Sequence, residues 1–252
     1  MQRYFIASNQ FGDHKVTITG DDAHHLIRVM RAEIGDECIC SDGISKEALV
    51  KITAIDKVIV EAEITQHLSM TAEPAVQVWV AQSLPKADKM ELVIQKGTEI
   101  GATGFIPFIS ERTVVQYDAK KEAKRAERWN KIAKEAAEQA HRNRIPAIES
   151  VHSWKQLLAS LNEFDAVWIC YEQEGELGFR SLVRTALANQ ATKVLLIVGP
   201  EGGFTAEEVQ AVTTAGGKSI SLGQRILRTE TAAMVGLTCI LYESGEMGDS
   251  HE

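Results

Sequence analysis

Cysteine is scarce in this chain of 252 residues: Cys38, Cys40, Cys170 and Cys239 are too few and too scattered for a disulfide framework. Cys38 and Cys40 form C-x-C, not a paired C-x-x-C knuckle, so they predict buried thiols on one face of a strand, and no metal site is expected. Such cysteine usage fits a reducing cytoplasm. Long apolar runs are missing too: Val194–Val198 (VLLIV) falls far short of the roughly 18 residues that cross a bilayer. The opening MQRYFIASNQ lacks an apolar stretch and a small-residue cleavage site, so no secretory signal is expected. Repeats and low-complexity segments are absent. There is no excess of positive charge; the net charge of −8, taken alone, argues against a nucleic-acid binder. What remains is ordinary globular composition, 44% hydrophobic and 25% charged, with enough chain for one large or two small domains.

The charge is uneven. Glu111–Pro146 carries ten Lys/Arg against six Asp/Glu, whereas Glu201–Glu252 carries three basic residues against eight acidic ones. A local basic surface on an acidic protein can still meet phosphate, although Ala119–Ala140 reads equally as a solvated helix with mixed-sign pairs.

The first 70 residues read mostly as strands, with period-two alternation or β-branched runs over Arg3–Ala7, Lys15–Thr19, Glu37–Cys40, Ala48–Ile55 and Val58–Ile64. One helix interrupts them: Ala23, Leu26, Ile27 and Met30 share a face, and Asp21 or Asp22 is placed as its N-cap. This pattern suggests a small β-barrel (residues 1–70), and the polar Gln66–Pro74 reads as a linker. From residue 74 to 252 strands and helices alternate. Strands are expected at Val76–Ala81, Phe105–Ile109, Phe164–Cys170, Val194–Val198 and Ser219–Leu222. Helices are expected through Met90–Ile100, Ala119–Ala140, a short segment capped by Ser153 and Gln156, Leu177–Leu187, Thr205–Ala215 and Thr229–Tyr242. That alternation implies an α/β domain with a parallel sheet covered on both faces. The composition of Glu246–Glu252 suggests a disordered tail.

The most informative segment is VLLIVGPEGGFTAEEV, Val194–Val209. An apolar strand runs into Gly199–Gly203, and the next helix opens with a capping box from Thr205 to Glu208, stapled by Phe204 and Val209. Glycines at the carboxyl end of a central strand let backbone amides approach a ligand, at the position where open α/β sheets bind one. The spacing G-x-x-G-G is not a dinucleotide fingerprint. Gly217-Lys218-Ser219 is no phosphate loop, because position 212 is Val212 and a strand follows. Glu201, Glu207 and Glu208 would compete with a phosphate for the helix dipole, so a ligand without phosphate, or with a positive centre, fits better. A second loop follows in SISLGQRILRTETAA, Ser219–Ala233, where Arg228 is a fixed cation and Ala232, Ala233 and Gly236 allow close helix packing. Ser83 and Lys86 match S-x-x-K, but S-D-N, K-T-G and G-x-S-x-G are missing, which leaves little room for serine hydrolysis.

GPEGG followed some 20 residues later by SLG and ILRTETAA resembles the SPOUT methyltransferases, and within them the RsmE type, the 16S ribosomal RNA uridine-N3 methyltransferases. LPKADKMELVIQKGTEIGATGFIPF (Leu84–Phe108), EQAHRNRIP (Glu138–Pro146), HHLIRVMR (His24–Arg31) and the initial RYFI also resemble this family, and together they cover nearly the whole chain.

The resemblance implies a PUA-like β-barrel followed by a trefoil-knotted α/β domain that binds S-adenosylmethionine, packed as a homodimer through the knotted domains. The cofactor would lie among three loops: one after Cys170-Tyr171-Glu172, one at Gly199–Gly203 and one at Leu222–Ala232. Its expected contacts are Tyr171, Val198, Gly199, Pro200, Glu201, Gly202, Gly203, Leu222, Gly223, Ile226, Leu227, Arg228, Thr231 and Ala232. Methyl transfer would fall on N3 of uracil 1498 in 16S RNA. Arg228 would stabilise the developing uracil anion and Glu230 would accept the proton. RNA would be met by Arg3, His24, His25, Arg28 and Arg31 in the barrel, with Arg28 and Arg31 on one helix face, and by Lys86, Lys89, Arg112, Arg142 and Arg144 beyond it. An acidic enzyme with many phosphate contacts should prefer the assembled 30S subunit to naked RNA. A non-catalytic RNA-binding or assembly module, and a SPOUT enzyme acting on another RNA, are the alternatives.

Overall fold

The computed structural model describes residues 1–171 and 178–248. They divide into two units: Met1–Glu73 with Ala137–Ile145, and Pro74–Ala136 with Pro146–Glu252. Glu172 and Leu177, in the expected loop and helix start, lie outside the described residues, as does the tail from Asp249 on.

In the first unit the strands are β1 (Arg3–Phe5), β2 (Lys15–Thr19), β3 (Glu37–Ser41), β4 (Glu47–Ile55) and β5 (Ile59–His67). They form one sheet in the order β1-β3-β4-β5-β2, antiparallel except for β1 beside β3. Inward residues alternate along β2 and β5, and Tyr4, Val16, Ile18, Cys38, Cys40, Val50, Ile52 and Val60 share a core with Ala23 and Leu26. The C-x-C pair therefore does place both thiols inside. β5 continues through Gln66 and His67, so the polar run expected as linker begins inside a strand.

Helix α1 (Gly20–His24) starts directly off β2 with Thr19 as N-cap. Asp21 and Asp22 occupy its first turn instead, where acidic side chains complement the helix dipole. A π-turn, His25–Val29, follows, and its extra residue rotates what comes next: Leu26 stays buried, but Met30 is 42% exposed instead of facing the core. Arg31 then adopts a left-handed backbone, φ 54°, which takes it off the helical face it was expected to share with Arg28.

Ala137–Ile145 belongs to this unit because of a buried polar web. The Glu47 carboxylate receives the Arg3 guanidinium and, at 2.7 Å, Asn143 Nδ2. Arg3 Nη1 also donates to the carbonyl of Arg142, 3.1 Å away. Glu73 Oε1 accepts from the backbone N–H of Asn143 (2.9 Å) and Arg144 (3.0 Å), and the Arg142 guanidinium pairs with the same carboxylate.

The second unit contains a parallel sheet made by β6 (Gln77–Ser83), β7 (Gly104–Ile109), β8 (Ala147–Ile148), β9 (His152–Ser153), β10 (Ala166–Cys170), β11 (Lys193–Val198) and β12 (Lys218–Ile220). Its order is β12-β10-β11-β6-β7-β8, with β9 also pairing β7. β11 is buried along nearly its whole length, as its unbroken apolar sequence requires of a strand covered on both faces. The helices are α2 (Lys89–Ile100), α3 (Ala119–Gln139), α4 (Trp154–Ser160), α5 (Phe179–Ala188), α6 (Ala206–Thr214) and α7 (Thr229–Glu243). The capping boxes Ser153/Gln156 and Thr205/Glu208 both form. α7 packs on the sheet where Gly236 faces β11: a methyl group there would sit 2.6 Å from Leu196 Cδ2.

Replacing Glu47 by alanine leaves Arg3 as a buried charge without its partner. Chemical denaturation should read a stability loss of about 3–5 kcal/mol.

Candidate functional site

The carboxyl ends of β10, β11 and β12 open into a cavity of about 980 Å³. Val198–Ala206 form one wall, Ser221–Thr229 (other than Gln224) the second, and Cys170, Tyr171, Lys89, Glu111 and Arg112 close the sides. Every expected cofactor contact lines this cavity except Thr231, which lies in the first turn of α7. Burial pushes the Cys170 thiol up to about 12, so it stays uncharged.

The first wall is built from both ends. Phe204 is buried against Phe108, the rings stacked at 6.3 Å, and against Trp154 at 6.0 Å. A Cβ at Gly199 would lie 3.1 Å from the Phe204 ring and one at Gly202 would lie 3.1 Å from Arg112 Cβ, so these glycines permit the loop's packing. Glu208 is spent on the fold: Oε2 accepts from Thr205 N–H and Oε1 from Glu111 N–H, at 3.0 and 2.8 Å. Glu201 is also engaged, accepting from Lys86 N–H (3.1 Å) and Lys89 Nζ (2.9 Å). Against the desolvation of partial burial, these donors hold the Glu201 carboxyl below its ordinary range; the same hydrogen bond raises Lys89. Of the three carboxylates expected to repel a phosphate, Glu208 is buried, Glu201 is exposed but engaged, and Glu207 is exposed.

The walls are joined by groups that motif reading does not reveal. Gln82 is the penultimate residue of β6, in register with Val198 of β11. Its Nε2 donates to Thr229 Oγ1 (2.9 Å) and toward the Gly199 carbonyl (3.3 Å). Thr229 Oγ1 donates to that same carbonyl at 2.6 Å. The only signal available beforehand is a polar residue closing an otherwise apolar strand, VWVAQS.

An RNA methyltransferase domain model matches residues 72–241, and an RNA methyltransferase PUA domain model matches residues 18–65. The chain is 42% identical over 250 residues to the ribosomal RNA small subunit methyltransferase E of Bacillus subtilis, covering 97% of each. It belongs to the ribosomal RNA small subunit methyltransferase E family. The Mycobacterium tuberculosis enzyme of the same name is 33% identical over 229 residues, 88% of this chain and 84% of that one. Among solved structures, a putative Legionella pneumophila methyltransferase in complex with S-adenosylmethionine is 30% identical with a TM-score of 0.86, over 95% and 96% of the two chains. The Neisseria gonorrhoeae methyltransferase E bound to S-adenosylmethionine is 27% identical with a TM-score of 0.84, over 96% and 97%.

For a methyltransferase E chain, the expected catalytic pair sits at the mouth of α7. Arg228 is its N-cap residue, exposed and lining the cavity, and Glu230 lies in its first turn. Lys89, expected to meet RNA, bridges Glu201 and Glu230, the latter at 3.5 Å. Arg3 and Arg142 are buried in the ion pairs described above, which removes them from the RNA-facing set because neither guanidinium reaches the surface. His25 is half-buried with Nδ1 2.9 Å from Tyr4 Oη. His24, Arg28, Arg31, Lys86, Arg112 and Arg144 are exposed, and Arg112 Nη1 donates to the Gly202 carbonyl at 2.9 Å. On α3, Arg125 and Arg128 both clamp Glu91 of α2, at 2.7 and 2.6 Å. Ser83 is fully buried among the hydroxyls of Ser110 and Thr113, each 2.8 Å away, so its S-x-x-K match is no nucleophile.

Thr229→Val strips the junction of its hydroxyl and leaves two buried groups short of a partner. Unfolding measurements should show a loss of about 1–3 kcal/mol.

Proposed function

We propose that this chain transfers a methyl group from S-adenosylmethionine to N3 of a single uridine of 16S ribosomal RNA, uracil 1498, within the small subunit. The observation that carries the reading is the cavity between the Gly199–Gly203 and Leu222–Arg228 loops, in a chain whose family relatives include proteins solved with that cofactor bound. The residues suit such a ligand. Gly199, Gly202, Gly203 and Gly223 present bare backbone to it, with Gly203 and Gly223 at φ 65° and 117°, conformations that L side chains rarely adopt. Glu201 and Glu207 border it, which favours a sulfonium over a phosphate.

When bound, the cofactor supplies an electrophilic methyl: its bond to sulfur breaks as the bond to N3 forms, and the electron pair stays on sulfur. Arg228, exposed at the N-cap of α7, faces the negative charge that develops on the uracil imide. Glu230 accepts the N3 proton. The residues of the two loops would hold the cofactor and orient the base beside it, and such positioning would supply a large part of the rate.

RNA affinity comes from the exposed His24, Arg28, Arg31, Lys86, Arg112 and Arg144. On a chain of net charge −8, the assembled 30S subunit is the substrate. The reading includes a trefoil-knotted carboxyl end, in which α7 returns against β6 and β11 after the edge strand β12. It also includes a homodimer through α7, a helix apolar on most sides whose Cys239 and Tyr242 are nevertheless exposed. No helix among the described residues is long and apolar enough to cross a membrane.

Radiolabelled methyl transfer to 30S subunits lacking this modification tests the reading. Label in those subunits, little in naked 16S RNA and none in modified subunits is the expected result. Binding of S-adenosylhomocysteine without label in any of them would remove the substrate, and neither binding nor label would leave an RNA-binding module. Arg228→Ala and Glu230→Gln should each slow turnover about 100-fold or more, and Glu230→Gln should do so while preserving cofactor affinity. Sedimentation of the wild-type chain should give the mass of a dimer.

A further inference from the structure

We infer that Lys89 is a positioning residue for the reaction: it fixes the proton-accepting carboxylate of Glu230 by tying it to Glu201 of the glycine loop. The inference rests on the proposed methyl transfer and adds a residue to it. Lys89 opens α2, where a helix dipole disfavours a cation, so the position is poorly explained by the helix itself. What it faces explains it. Its ammonium lies 2.9 Å from Glu201 Oε1 and 3.5 Å from Glu230 Oε2. Glu201 Oε1 is anchored a second time by Lys86 N–H at 3.1 Å, so the ammonium leans on a fixed carboxylate. Glu230 is the less satisfied partner. Its side chain is 12% exposed, and Oε2 is buried without a hydrogen bond among the described residues. An oxygen so placed depends on the nearby positive charge. When Glu230 takes the N3 proton and becomes neutral, Glu201 keeps Lys89 in place. The proton then leaves to solvent, and the carboxylate returns to the same position.

Single-turnover methylation of unmodified 30S subunits by the full chain, with calorimetry of S-adenosylhomocysteine alongside, tests this. Lys89→Met should slow the step about 10- to 100-fold. Its affinity for S-adenosylhomocysteine should stay within about threefold of wild type, because loop binding is not what the residue supplies. Lys89→Arg should recover part of the rate. The Lys89→Met/Glu230→Gln double variant should be no slower than Glu230→Gln alone, since Lys89 acts through that carboxylate. A Lys89→Met enzyme at the wild-type rate, losses that multiply in the double variant, or a fall in affinity that matches the fall in rate would each overturn the inference. An active wild type with an unimpaired Lys89→Met variant removes Lys89 alone; an inactive wild type removes the proposed reaction with it.

Discussion

The carbonyl oxygen of Gly199 is the point on which the site depends. It ends the central strand β11, and two side chains reach it: Thr229 Oγ1 from the start of α7 and Gln82 Nε2 from the end of β6. Segments 147 residues apart in sequence meet there through one buried hydroxyl. An unpaired carbonyl at this depth would cost as much as a lost hydrogen bond, so the loop after β11 cannot drift from the helix that carries Arg228 and Glu230. Both cavity walls thereby acquire a common reference. Phe204, stacked on Phe108, fixes the far end of the same loop.

Several of the basic residues are engaged within the protein. The stretch Glu111–Pro146 is rich in Lys and Arg. Yet Arg125 and Arg128 hold Glu91, and Arg142 holds Glu73. Arg3 and Lys89 are bound the same way, to Glu47 and to Glu201 with Glu230. A count of basic residues therefore overstates the surface left for phosphate. Where such a pair is buried, as for Arg3 with Glu47, it contributes little net stability but fixes one arrangement of its segments, because every alternative leaves a charge alone.

How much of this could be read from the sequence follows from the range of each interaction. Period-two alternation identifies β2 and β4, and an unbroken apolar run identifies β11, because burial acts on neighbouring residues directly. Capping boxes at Ser153 and Thr205 span three residues and are legible for the same reason. The glycine loops announce themselves by composition. What stays hidden is non-local or irregular. The π-turn at His25–Val29 leaves no trace in the spacing of Ala23, Leu26, Ile27 and Met30, yet it decides that Met30 and Arg31 leave the expected face. Gln82 looks like an ordinary strand end until Thr229 is brought beside it. The pairing of Lys89 with Glu201 and Glu230 is hidden for the same reason, because pairing across more than a hundred residues has no local signature.

The web around Glu47 and Glu73 has a bearing on how the chain is made. The amino-terminal unit borrows Ala137–Ile145, so during synthesis its first 73 residues emerge without Arg142 and Asn143. Glu47 then has Arg3 but not Asn143, and Glu73 waits for Arg142, Asn143 and Arg144, while more than sixty residues of the second unit leave the ribosome. Completion of the first-born unit is thus deferred until Ile145 has emerged, and the two units mature interleaved in time rather than one after the other.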